Sequence, residues 1–297
     1  MTTYRVRHRT TYRYDAPVAS GQTICHLFPR ADAPGQQLLS SDLRVDPEAD
    51  ELSEHLDSFG NRVSIVWIHQ PHRELTVVAE SAVRVAVAPA GLPPSPPWEE
   101  AVAARAADRS PAGLHAREMA LGSPYASYSE SVRAFAEPSF WPGRPAAECL
   151  ADLCRRIYGE FAFDPVATDV ATPLDDVLVA RRGVCQDYAH LAVAACRCFG
   201  LAARYVSGYL ETEPPPGMPR LQGADASHAW LSVWVPGWGW LDADPTNDQV
   251  PVQRHVTVAW GRDYSDVAPV RGLVFGPLAG QHLDVAVDVV PVDPDVL

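Results

Sequence analysis

The sequence sets a thiol, an imidazole and a carboxylate in succession. Cys185 stands in Gly183-Val184-Cys185-Gln186-Asp187, His228 in Ser227-His228-Ala229-Trp230, and Asp244 in Asp242-Ala243-Asp244-Pro245-Thr246-Asn247. A cysteine attacks carbonyl carbon as its thiolate. A histidine can take up and return the proton, and a carboxylate beside it fixes the tautomer and stabilises the charged ring. Taken singly, each has a plainer reading: a cysteine packs as a small hydrophobe, and a histidine or aspartate hydrogen-bonds in a loop. The three together point to nucleophilic acyl-transfer chemistry with Cys185 as nucleophile, His228 as base and acid, and Asp244 as the orienting group. Asp242 competes with Asp244 for the last role.

The elements expected to carry these groups would activate them. After Cys185, apolar residues recur at helical spacing through Tyr188, Leu191, Ala192, Ala195, Cys196 and Phe199, and Gly200 closes the run, so the thiol begins a buried helix. Unpaired N–H groups and the positive end of the helix dipole favour a thiolate there and could hold an oxyanion. His228 opens one alternating strand, and Trp238 to Asp244 reads as the next. A two-residue turn would set Asp244 opposite Ala229, and a four-residue turn opposite Leu231. Pro245 ends the second strand. Tyr209, Gln186, Asp187 and Trp230 are further candidates for oxyanion or substrate contact. Asp187 and His190, polar groups on a buried helix, also need structural partners.

Gly-Val-Cys-Gln-Asp, then Ala202-Ala203-Arg204-Tyr205-Val206-Ser207-Gly208-Tyr209, then Ser-His-Ala-Trp and Asp-Pro-Thr-Asn, resembles the bacterial transglutaminase-like superfamily of papain-type cysteine enzymes. Gly261-Arg262-Asp263-Tyr264-Ser265-Asp266-Val267 resembles a further block of the same group. The resemblance spans about residues 146–272. It implies Cys185, His228 and Asp244 as the catalytic set and an α+β fold: a papain-like core with the nucleophile helix packed on an antiparallel sheet. It implies no cofactor. For Arg262, Asp263 and Tyr264 the expectation is an ion-paired brace between domains.

Upstream, Tyr4, Val6 and His8 alternate with Arg5, Arg7 and Arg9, and strand-like runs cover 63–68, 75–78 and 82–88 around a turn at Asp57-Ser58-Phe59-Gly60-Asn61. An N-terminal antiparallel β-sandwich over 1–90 follows, as in members of the same subgroup. A Pro-rich linker and helical connection is expected over 91–144, with Trp98 to Ala107 helical, and a catalytic domain over 145–297. There, Cys149, Leu150, Leu153, Cys154 and Ile157 form one apolar helix face. Cys-x4-Cys and the Cys196-x-Cys198 pair fit no zinc pattern, nor do the scattered N-terminal histidines. No metal is expected on this reading. A site using Cys185 and His228 would need further ligands.

The formal charge of -13 over 297 residues argues against a nucleic-acid partner. No apolar run is long enough to span a membrane. The start lacks an apolar signal segment, and six cysteines with one wanted as thiolate suit a reducing compartment, so a cytoplasmic location is expected. The expected partner is a peptide, protein or small amide substrate. Water as acceptor gives a peptidase or amidase, the favoured outcome, and an amine gives a transglutaminase. A non-catalytic scaffold is the third reading. The loop from Glu211 to Gly217 could overhang the cleft.

Overall fold

The computed structural model describes residues 1–212, 227–250, 252, 254–276 and 280–293. The period-two pattern at the start forms β1 (Thr2–Val18), which turns Tyr4, Val6, His8 and Thr10 inward and leaves Arg5 and Arg7 in water. Five strands follow: β2 (Ser20–Cys25), β3 (Gln36–Asp46), β4 (Glu51–Leu56), β5 (Arg62–Ile68) and β6 (His72–Val85). The run read at 75–78 and the first part of that read at 82–88 thus belong to one strand, which ends at Val85. Gly60, at φ 75°, makes the expected turn possible, because that left-handed conformation is cheap only for glycine.

Three helices, α1 (Trp98–Ala107), α2 (Pro111–Glu118) and α3 (Glu130–Ala136), lead to α4 (Ala146–Glu160). The predicted apolar face of α4 is buried: Cys149, Leu150, Leu153, Cys154 and Ile157 are at most 1% exposed. The short β7 (Ala162–Phe163) and α5 (Leu174–Ala180) precede β8 (Arg182–Gly183), which pairs with β7. Then come α6 (Cys185–Cys198), β9 (Ala203–Leu210), β10 (Ser227–Val235), β11 (Gly239–Ala243), β12 (His255–Gly261) and α7 (Tyr264–Val267). One sheet runs in the order β11-β10-β9-β12. Leu191 and Ala195 of α6 share a core with Leu231 and Val233 of β10 and with α4.

The last strands correct the expected division. β13 (Val270–Phe275) pairs with β2, and β14 (Gln281–Val292) pairs with β1. The sandwich therefore consists of the sheets β14-β1-β6-β3 and β13-β2-β5-β4, and β13 and β14 belong to it rather than to a unit running over 145–297. The segment 91–144 is likewise no mere connection, since Ala101, Val132 and Phe135 enter the core of α4 and α6.

The sandwich also covers an edge. β12 ends its sheet, and an uncovered edge strand leaves N–H and C=O groups unpaired. Gln36 donates to Thr257 O (2.8 Å) and accepts from Thr257 N (2.9 Å), while the Asn61 amide does the same for Trp260 at 2.9 Å each. The guanidinium groups of Arg30 and Arg204 each lie 3.6 Å from the Trp260 ring centre. Asn61, from the turn read from sequence, thus joins Gln36 and Arg30 in a clamp on β12.

Candidate active site

Cys185 is the first residue of α6, after Val184 in extended conformation. The Asp187 carboxylate accepts the Val184 N–H at 2.8 Å and the Thr168 hydroxyl at 2.6 Å, which fixes the entry into the helix as a capping side chain does. Burial raises the Asp187 carboxyl pKa against these bonds. Gly183 is required by this contact, because a Cβ there would lie 2.6 Å from Asp187 Oδ2. Asp187 is 3% exposed, so of its two readings the structural partner holds and the candidate substrate contact is dropped.

The β10–β11 turn has three residues, not the two or four considered from sequence: Val235 pairs with Gly239 and Leu231 with Ala243. Gly237 at φ 79° and Gly239 at φ 99° allow it. The consequence is chemical. An odd turn places Asp244 one step beyond the Leu231–Ala243 pair, level with Trp230, and therefore on the face that carries His228. Either even turn would have put it on the other face. Asp242 pairs with Ser232, four residues along β10 from His228 and so roughly 13 Å away, which removes it as a competitor.

Asp244 Oδ2 accepts from His228 Nε2 at 2.8 Å. It also accepts from His255 Nε2 at 3.0 Å and from Asn247 Nδ2 at 2.6 Å, while Oδ1 takes the Thr246 N–H at 2.8 Å. The carboxylate is fully buried. Burial works to raise its pKa, yet the bonds to the two histidines prevail and hold it far below the ordinary range. For His228, burial opposes the charge most strongly, but hydrogen bonds to Asp244 and to Cys185 outweigh it and lift the ring to about 10. Since Nε2 is spent on Asp244, Nδ1 is the nitrogen left for the thiol.

His255 was not among the residues singled out from sequence. It lies on β12, separated from β10 by β9, and Gly208 is why it can reach: His228 and Thr257 flank Gly208 on either side. A Cβ at that position would lie 2.1 Å from Val256 O and 2.5 Å from the Trp230 ring. The missing side chain lets Trp230 lie across β9, its ring 5.0 Å from that of His255 and 6.1 Å from that of His228. Trp230 is fully buried and packs the histidines; it is closed to substrate. Tyr209 is corrected also: its hydroxyl donates to Leu27 O at 3.0 Å, tying β9 to the sandwich, so it supplies no oxyanion donor. Gln186 lines a cavity, described below.

The ion pair of Arg262 lies within the second unit, so the expected ion-paired brace is corrected to a ring contact: its guanidinium lies 5.9 Å from the ring centre of Phe59 in the sandwich turn. Arg262 pairs with Asp266 at 2.9 Å. Asp263 accepts from Tyr125 N and Ser265 N at 2.9 Å each, and Tyr264 N donates to His190 Nε2 at 3.1 Å. Burial lowers the His190 pKa to about 4, so the ring stays a neutral acceptor. The part of the Glu211–Gly217 loop from 213 onward lies outside the described residues.

His228, Asp244 and His255 also form a group whose donor atoms, within 4.8 Å of one another, could hold a metal ion. Both ring nitrogens, however, meet one carboxylate oxygen at hydrogen-bonding distance, and a metal would have to replace both protons.

Residues 4–84 match the model of the bacterial transglutaminase-like N-terminal region, and residues 133–245 that of the transglutaminase-like superfamily. The uncharacterized protein Rv2569c of Mycobacterium tuberculosis is 45% identical over 305 residues, covering 99% of this chain and 94% of its own. A protein-glutamine gamma-glutamyltransferase of Pseudomonas aeruginosa is 33% identical over 128 residues, 37% of this chain and 19% of that enzyme. The solved structure of a candidate cysteine protease from Cytophaga hutchinsonii has the same fold, with a TM-score of 0.72 at 21% identity over 98% of this chain and 93% of that one. The chain belongs to the transglutaminase-like superfamily, among the bacterial members that carry the N-terminal region.

Proposed function

We propose that this protein is a cysteine enzyme that cleaves amide bonds through a thioester on Cys185, with water as the favoured acceptor. The observation that carries the reading is the imidazole of His228, bound to buried Asp244 at 2.8 Å on one side and to the Cys185 thiol on the other. With the proton on His228, the Cys185 thiolate attacks the carbonyl carbon, and N–H groups at the start of α6 take the negative charge on oxygen. The tetrahedral intermediate collapses by expelling the amine, which takes the His228 proton. His228 then removes a proton from water, hydroxide adds to the thioester, and the carboxylic acid leaves with Cys185 regenerated. An amine in place of water gives a new amide by the same steps, and the partial similarity to a gamma-glutamyltransferase supports that second reading.

Peptide mapping after limiting iodoacetamide near neutral pH, on wild type and His228→Ala, tests the proposal. Selective modification of Cys185, slowed at least tenfold in the variant, is expected. Modification spread over several cysteines, or stoichiometric zinc on the purified protein, would overturn it. Incubating the acylated enzyme with a primary amine in ¹⁸O-water then separates the two acceptors by product mass. Six free cysteines also support the cytoplasm as its place of action, a proposal that cell fractionation tests.

A further inference from the structure

A cavity of about 350 Å³ opens between the two units; Cys185 and His228 are not part of its described lining, but their chain neighbours are. One of its walls carries Gln186, which follows Cys185, Ser227, which precedes His228, and Tyr264 of α7. The facing wall is a strand ladder. β14 sets Val287, Val285 and Leu283 directly opposite His8, Thr10 and Tyr12 of β1, and because side chains alternate along a strand, all six point into the same space. Exposure falls along this ladder from Leu283 at 56% through Val285 at 47% to Val287 at 1%. The cavity thus has a mouth at Leu283 and a blind end at His8.

Among the described residues, its lining contains no Asp, Glu, Lys or Arg. His8 bonds through Nε2 to the Thr10 hydroxyl at 2.9 Å, and burial lowers its pKa to about 4, so the blind end is uncharged at neutral pH. A charged occupant would shed water and meet no counter-charge among the described residues, which disfavours it. An apolar one gains from the same burial. The volume lies in the roughly 300–1,000 Å³ range of small-molecule sites, and two large aliphatic side chains left in water at the mouth extend the apolar strip outward.

We propose that this cavity is a substrate subsite that takes a bulky, uncharged apolar or aromatic side chain adjoining the scissile amide, with β1 and β14 of the sandwich supplying its floor. The inference rests on Cys185 being the nucleophile. It gives the sandwich a part in selecting substrate, through a strand contributed by the C-terminal end of the chain.

Two alkylating reagents separate the claims: iodoacetamide, and N-(2-phenylethyl)iodoacetamide, whose aromatic arm reaches beyond the reacting carbon. In both, the Cys185 sulfur displaces iodide. Rates are normalised to those with glutathione. The wild type should react at least tenfold faster with the aromatic reagent and saturate with it. Val285→Glu, at a position open enough to accept the change, should bring the ratio to within about twofold of one, each rate being referred to the iodoacetamide rate of the same variant. Leu283→Glu, at the mouth, should give a smaller loss. Equal normalised rates in the wild type, or an unchanged ratio in Val285→Glu, would overturn the subsite and leave the nucleophile in place. Failure of both reagents to modify Cys185 would remove the nucleophile, and the subsite with it.

Discussion

Asp244 serves two imidazoles with one oxygen, and that sharing fixes what each substitution should do. Removing its charge while keeping its shape, as Asp244→Asn does, takes away the partner that holds His228 protonated against its burial. The His228 pKa should then fall from about 10 by several units, read directly from the ring nitrogens in ¹⁵N NMR, and turnover should drop by roughly 10²–10⁴, the usual worth of a general acid–base group. An unchanged His228 titration would show that Asp244 does not set its charge. His255 acts one step further away. It bonds to Asp244 and its ring lies 5.5 Å from that of His228, so His255→Gln should cost about 10–100-fold in turnover, as loss of an orienting outer partner commonly does. It should shift the His228 titration less than Asp244→Asn does. A loss in His255→Gln as large as in Asp244→Asn would mean that His255 takes part in the reaction itself.

At the scale of elements, the sequence was legible wherever a single stretch carries its own signal. The helix after Cys185 has the apolar period, its glycine stop and the thiol at its start. The two strands around Pro236-Gly237 have their alternation. Register was not legible, because a proline and a glycine are compatible with two, three or four turn residues, and only the odd turn puts His228 and Asp244 on one face. His255 escaped because nothing in its own neighbourhood marks it; its contact with Asp244 depends on sheet order. The usable signal was Gly208, a glycine inside a strand of large residues, which marks a close approach from a neighbour. Gly208→Ala tests that explanation. Its new Cβ collides with Val256 O and the Trp230 ring, and overpacking of this kind costs about 1–3 kcal/mol. The urea midpoint should fall, and the near-ultraviolet circular dichroism of the tryptophans should change as Trp230 is pushed off β9. A variant with wild-type stability and spectrum would mean that the space above Gly208 is not what seats Trp230 and His255.

For the molecule as a whole, the long-range closure of the sandwich was the least legible feature, since β1 and β14 lie at opposite ends of the chain and pairing across such a distance leaves no local trace. The same closure buries His8 between the units, while α6 buries His190 in the core. Both rings are pushed by burial to about 4, whereas His228 is lifted to about 10. The signs therefore oppose. A lowered histidine contributes stability that is full above its unfolded value, near 6.5, and is lost as pH falls through 4, because the unfolded chain binds the proton first. A raised one contributes fully below about 6.5, and that share is lost as pH climbs toward 10. Asp244, held low, keeps its contribution above the ordinary carboxylate range and loses it only in stronger acid. The melting temperature should then peak near pH 6.5 and decline on both sides. Each acid-side histidine accounts for up to about 3 kcal/mol, so between pH 6.5 and 4 the midpoint should fall by roughly 10 °C for a chain of this size. Thermal melts of wild type and of His8→Gln with His190→Gln decide the matter. Glutamine keeps an acceptor for the Tyr264 N–H and a partner for the Thr10 hydroxyl without a titrating ring, so the acid limb should flatten while the alkaline limb stays. An acid limb as steep in the double variant as in the wild type would place the acid sensitivity in the carboxylates instead of in the two buried rings.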